Sequence, residues 1–259
     1  MICGRDRIIK IATVFLILCL GQISYAEQRR PHDPDYIFYK ASRHYEAAQY
    51  NEAIAEYSLL LEQDLESGPL HYNLGNCYFK KGDLGRAILN YERAKRIIPS
   101  DGDLEANYKY ATSLIQGTLP GDAAPWHEQI LERLFGGLSL NGLIILLSMI
   151  YAFSMLIFIA RIYFKGLRRY SMTAIAILIA LFISGSLSLY GRISAIGKEA
   201  IAIMDQAEVK LEPFDRTPAH FTIYEGMKIS VIDSKGEWIK ISTSDKKVGW
   251  VHASIIEVI

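Results

Sequence analysis

Acid–base, nucleophilic and metal chemistry all need side chains that converge, and here the residues able to supply it are dispersed. The six histidines, His32, His44, His71, His127, His220 and His252, have no second His or Cys at ligand spacing. Of the three cysteines, Cys3 and Cys19 fall in an N-terminal leader. Cys77 is then left alone, excluding an internal disulfide, and reads as a small buried apolar residue. The sequence contains no phosphate-cradling glycine loop, nucleophile elbow or HExxH helix. Carboxylates are numerous, but exported helices need solvating charge in any case. The expectation is a non-enzyme with no catalytic residue, no metal and no cofactor. An enzyme would need a site of unfamiliar kind. What the chain does offer is recognition chemistry, in aromatic rings spaced along helices and in Trp250 behind Gly249.

The elements that must position those rings follow from charge and apolar patterning. The 259 residues hold 28 basic and 28 acidic side chains, and 51% are hydrophobic. A zero balance argues against a nucleic-acid partner, which would require a basic surplus. Met1–Lys10 carries Arg5, Arg7 and Lys10, followed by the apolar run Ile11–Leu20 and Ser24-Tyr25-Ala26. This is the pattern of a signal peptide over 1–26, cut after Ala26, with an uncleaved anchor as the alternative.

Two longer apolar runs, 138–160 and 170–190, contain no charge and are long enough to cross a bilayer. The turn between them, 161–169, carries Arg161, Lys165, Arg168 and Arg169 without an acid. The positive-inside rule makes this turn cytoplasmic and sends both flanks to the other side, in agreement with the leader. Residues 27–137 carry 12 basic and 17 acidic side chains, so the neutral total conceals an acidic exported side. Ala176, Ala180, Ser184 and Ser188 place a small residue at every fourth position of the second span, the spacing that lets another helix approach closely. Neither span holds an ionisable residue, which argues against transport. In the linker 117–137, Trp126, Ile130 and Leu134 give a short helix an apolar face suited to the membrane interface.

Between leader and membrane the sequence repeats. A shift of 34 residues aligns Ala41 with Gly75, Ala53 with Ala87, Ile54 with Ile88 and Tyr57 with Tyr91, and Pro99 ends the second copy. With Tyr78 and Ala94 also in place, residues 33–116 resemble tetratricopeptide (TPR) repeats plus a capping helix at about 103–115. Lys109 stands there where the pattern expects a small residue. Two repeats and a cap are few for a free-standing solenoid, so the membrane or a partner is expected to help hold them. The resemblance implies a partner-binding groove lined by Phe38, Ser42, Tyr45, Tyr72, Asn73, Asn76, Phe79 and Tyr110. Phe38, Asp103 and Asn107 stand where a carboxylate-gripping TPR favours cations. An amphipathic helix or extended apolar peptide suits such a groove better, the alternative being that some rings pack inside the solenoid.

From about residue 198 to 259 short alternating segments are broken by Ser234-Lys235-Gly236 and Ser244-Asp245-Lys246. Such spacing predicts a small closed β-barrel. Glu225-Gly226, Trp238-Ile239-Lys240-Ile241 and Gly249-Trp250-Val251 resemble the bacterial SH3-like domain, with Trp238 expected in the core and Trp250 on a ligand surface.

The expected fold class is a multidomain membrane protein: an all-α TPR solenoid, a transmembrane helical hairpin and a small all-β SH3-like barrel. This order resembles the E-type proteins of the bacterial Bat (aerotolerance) group. The resemblance implies an inner-membrane scaffold with both folded domains periplasmic, linked to aerotolerance or envelope stress. It also implies partners among von Willebrand A-type membrane proteins and a MoxR-type AAA+ ATPase. The lipid bilayer is a further expected partner. The rival expectation is a cell-wall sensor that binds peptidoglycan through the SH3-like domain.

Overall fold

The computed structural model describes residues 33–116, 125–164 and 168–259. The expected leader, residues 117–124 of the linker and the centre of the basic turn lie outside the described residues.

Five helices build the N-terminal part: α1 (Pro34–Glu46), α2 (Tyr50–Leu61), α3 (Gly68–Lys81), α4 (Leu84–Ile97) and α5 (Gly102–Ser113). Their starts follow from local chemistry. Ser67 Oγ accepts from Leu70 N, Asp83 Oδ1 from Arg86 N and Asp101 Oδ1 from Leu104 N, each satisfying an otherwise orphaned helix donor. Helix α3 stops at Gly82, whose φ of 84° is the left-handed conformation that glycine adopts without strain. The helices pair antiparallel because small residues sit where they cross. Ala41, Ala53, Ala87, Ala94 and Ala111 are fully buried, and a Cβ on Gly75 would lie 2.6 Å from the Tyr91 ring. Lys109 is the exception expected of a terminal helix, reaching outward to Glu105 at 3.2 Å.

Helix α6 (Trp126–Phe135) leads into α7 (Leu140–Tyr163) and α8 (Arg168–Ala195), which pack against each other as a hairpin. Both α7 and residues Ser171–Ala195 of α8 are long and apolar enough to cross a membrane. At about 1.5 Å per residue, the 24 residues of α7 reach roughly 36 Å. The seam is closest at Gly185, where a Cβ would come 2.7 Å from Leu147 Cδ2. Ser188 is buried at this seam end and Ser184 half-buried, whereas Ala176 and Ala180 are exposed. The four-residue spacing drifts around a helix of 3.6 residues per turn, so one stripe serves two faces.

Seven strands form the C-terminal part: β1 (Glu199–Ala202), β2 (Gln206–Lys210), β3 (Ala219–Tyr224), β4 (Lys228–Lys235), β5 (Trp238–Ser242), β6 (Val248–His252) and β7 (Ile256–Val258). They make one sheet in the order β3-β2-β6-β5-β4-β1-β7, antiparallel throughout. Bulges at Val209/Lys210 and Val231/Asp233 bend it around a single core that includes Val209, Ile223, Ile229, Ile241 and Val251. No pairing among the described residues joins the end strands β3 and β7, so the expected closed barrel is not seen. The β7 edge is protected another way, by docking onto α4.

That docking joins the two ends of the sequence. Ile201 of β1 is fully buried in the cluster formed by Ile88, Leu89, Ala94 and Leu104 of the helical part. Gly226 lies so close to α4 that a Cβ would sit 2.6 Å from Ile88 Cδ1. Around this apolar centre, Lys228 bridges Glu92 (3.3 Å) and Glu199 (3.2 Å), Arg96 reaches Glu199 (3.2 Å) and Arg93 reaches Glu257 (3.1 Å). Arg93 also donates to Val258 O at 2.9 Å, and Arg96 to Ile259 O at 2.7 Å. The half-exposed ion pairs contribute up to about 1 kcal/mol each, whereas burying an isoleucine such as Ile201 contributes about 1.5–3 kcal/mol. Support that was expected from the membrane or a partner is thus supplied here by the chain's own β-sheet.

Candidate functional site

The first helices of the helical units, α1, α3 and α5, stand side by side, and the β-sheet occupies a different face, centred on α4. Each aromatic residue at the α1–α3–α5 face has a structural neighbour that fixes its ring. Phe38 meets the Tyr57 ring edge-on at 5.3 Å, Tyr45 lies 5.6 Å from Tyr50, and Phe79 lies 5.7 Å from Tyr110. Phe38, Tyr45, Tyr72 and Phe79 are half-buried: each packs partly against the helical core and keeps part of its surface open. Tyr110 is 60% exposed.

The polar floor of this face is tied together. Asn107 Nδ2 donates to Tyr72 OH at 2.9 Å and to Asn76 Oδ1 at 3.0 Å, and Tyr91 OH donates to the same Asn76 oxygen at 2.7 Å. Asn73 is placed differently from the rings. Its Nδ2 donates to Tyr57 OH at 3.1 Å, and Tyr57 OH also meets Ser42 Oγ at 2.9 Å. Asn73 therefore braces α3 against α2. Burial raises the pKa of Tyr57 and, more strongly, that of Tyr91, so both hydroxyls keep their protons near neutral pH. The result is a face of half-open rings on a floor of neutral hydrogen bonds, with no cation directed at its centre by any of these contacts.

Sequence reasoning missed Asn107 as a positioning residue, since it stood out only as a position lacking a cation. Tyr36 and Tyr39 of α1 are 63% and 59% exposed, and no ring contact among the described residues ties either to that face.

On the sheet, strand alternation sends Ile239, Ile241 and Val251 inward and Trp238, Lys240, Trp250 and His252 outward. Trp238 is therefore on the outer face, half-buried beside His252 at 6.0 Å, and is not the core residue expected. The register places Lys240 opposite Trp250, with its Nζ 5.9 Å from that ring centroid. Lys210 Nζ lies 5.7 Å from the Trp238 ring. The two tryptophans thus form, with two lysines, a continuous outward patch across β2, β6 and β5.

Among the described residues no group of three or more His, Cys, Asp or Glu side chains could hold a metal ion. Cys77 is fully buried and burial pushes its thiol up to about 12, so it carries no thiolate at neutral pH. His71 is also buried, 3.3 Å from Asn90 Oδ1, and burial lowers its pKa, keeping the ring neutral.

No curated protein matches the chain. Residues 69–101 match the tetratricopeptide repeat family, a segment that takes in α3 from its second residue, α4 and the turn leading into α5. A TPR repeat is a protein–protein interaction module, and the half-open rings of α3 stand within the matched segment.

Proposed function

We propose that this chain is a non-enzymatic adaptor held in the bacterial inner membrane by the α7–α8 hairpin, with the TPR groove gripping a segment of a membrane partner. The observation that carries this reading is that the β-sheet docks on α4 and leaves the α1–α3–α5 face open, with its rings already braced. The basic turn at 161–169 supports a cytoplasmic position for that turn, and hence a periplasmic position for the folded domains. The bent antiparallel sheet with one core supports an SH3-like β-domain. The resemblance to the E-type Bat proteins supports von Willebrand A-type proteins and a MoxR-type AAA+ ATPase as the company this adaptor keeps, and aerotolerance or envelope stress as its setting.

The bound segment is apolar or amphipathic, because half-open rings over neutral hydrogen bonds reward apolar burial. Purification in mild detergent tests this. Tyr72→Ala and Phe79→Ala each remove an aromatic anchor, expected to weaken partner recovery roughly 30-fold at about 2 kcal/mol per anchor. Undiminished recovery with both variants folded overturns the groove assignment.

The outward Trp238–Trp250 patch favours a second reading, a peptidoglycan-binding sensor. Pull-down of the full chain on purified cell wall, with Trp250→Ala as the control, separates the two. Wall binding lost in that variant while partner recovery stands would assign the patch this role.

A further inference from the structure

Helix α6 carries an apolar arc whose two halves have different fates. At about 100° per residue, Trp126, Ile130 and Leu134 form one half of the arc and Leu131 and Phe135 the other. The second half is packed. Phe135 is buried with Leu143 and Leu147 at the near end of the hairpin, and Leu131 and Leu189 pack against them. The first half is open, with Trp126 74%, Ile130 48% and Leu134 56% exposed. His127 falls on the arc between Leu134 and Leu131, and Glu128, Gln129, Glu132 and Arg133 occupy the remaining circumference.

The helix is fixed in this attitude at its C-terminal end. Arg192 of α8 donates to Phe135 O at 2.8 Å and also to Leu138 O, tying the last residue of α6 and the turn after it to the hairpin. Ser100, between α4 and α5, donates to Gly137 O at 2.6 Å. One short segment is thus gripped from one side by the hairpin and from the other by the TPR domain.

We propose that the open half of α6 is filled by the lipid headgroup–acyl boundary, so that α6 lies in the plane of the bilayer surface and sets the height of the TPR domain above it. The inference rests on reading α7–α8 as a transmembrane hairpin. Lipid is the occupant because α6 packs directly on one end of the membrane-length hairpin, whose own outer side is equally apolar and open. Leu143 and Leu147 hold Phe135, while their neighbours Ile144 and Ile145 are exposed on the hairpin. Tryptophan at the tip matches the preference of that ring for the interface. The polar side holds two acids and one base, so apolar burial, and not attraction to anionic lipid, drives the contact.

The test uses the full chain in phosphatidylcholine vesicles, with Trp126 as a fluorescent depth probe. Its signal is the emission of the unaltered chain minus that of Trp126→Phe, which leaves Trp238 and Trp250 in place. At a depth of about 5–10 Å, lipids brominated near the headgroup should remove about half of that signal, and deeply brominated lipids less. Adding phosphatidylglycerol should change neither value. A probe moved to the polar side, Glu132→Trp in the Trp126→Phe chain, should remain open to aqueous iodide and unquenched by either lipid. Resistance of the vesicle-bound chain to alkaline carbonate reports the hairpin separately. Carbonate resistance with Trp126 open to iodide overturns the α6 inference and leaves the hairpin standing. Carbonate extraction overturns the hairpin reading and the inference with it. Shielding of Trp126 that grows with protein concentration, without bromine quenching, assigns the open half to a second copy of the chain and overturns the lipid assignment.

Discussion

The amide of Gly85 donates to Glu225 Oε1 at 2.7 Å, across 140 residues of sequence. Gly85 lies in the first turn of α4, so a carboxylate from the β-domain satisfies a donor that the helix start leaves open. The same glycine lets β1 approach, because a Cβ there would lie 2.6 Å from Ala202 O and 2.9 Å from Ile203 Cα. Backbone, not a flexible side chain, stands in the way. One residue thus supplies both the space and the hydrogen bond that join the two domains.

Gly85→Ala should therefore undock the sheet without unfolding either domain. Overpacking of this kind costs about 1–3 kcal/mol. Hydrogen exchange should speed up at β1 and β7 while α3 keeps its protection, and uniform protection would show that the contact does not depend on Gly85.

Glu225 should give the docking a pH dependence. Burial raises its carboxyl above the ordinary value; the Gly85 N–H offsets part of this, and Asp83 and Asp205 add to the rise. A folded-state pKa above the unfolded one means stability that is full below the unfolded value and is lost as pH rises through the folded value. Glu225→Gln keeps an acceptor for Gly85 and carries no charge, so its docking should stay flat across that window. The melting temperature of the unaltered chain should fall relative to the variant as pH rises through the carboxyl range. Parallel curves would remove Glu225 from the account. Glu225→Ala, with neither charge nor acceptor, should lie about 1 kcal/mol below Glu225→Gln at every pH.

Cys77 should serve as a reporter of the fold. Fully buried, with its thiol pushed up to about 12, it should not react with a maleimide at neutral pH until α3 opens. Labelling in denaturant and its absence in buffer should differ by several orders of magnitude, in line with the folded fraction of a stable domain. Rapid labelling of the native chain would show that α3 opens locally.

The helical repeat was legible because the period of 34 residues recurs in Ala53/Ala87 and Tyr57/Tyr91, the positions where the helices press together. The two membrane-length helices were legible from the absence of charge. The docking was not, because Ile88 and Ile201 read as ordinary core residues of separate domains, and only three-dimensional structure pairs them. Gly85 was hidden in Gly82-Asp83-Leu84-Gly85, where turn chemistry accounts for every residue. Trp238 misled because a tryptophan in a short strand is ordinarily buried; register with His252 sends it outward. On the α1–α3–α5 face, the helix that carries each ring followed from the repeat, but the brace supplied by Asn107 required knowing which amide reaches which hydroxyl.

On the proposed two-span topology, the contact between α4 and β1 also counts membrane crossings. The hairpin separates the two surfaces in sequence, so Ile88 stays uncovered during synthesis until the residues after the second span reach the same compartment. An even number of crossings would bring Ile201 to it; a chain stalled after one span would leave both isoleucines facing water on opposite sides of the bilayer. Correct insertion and a completed fold then become one event, and a half-inserted chain carries an apolar surface by which quality control can recognise it.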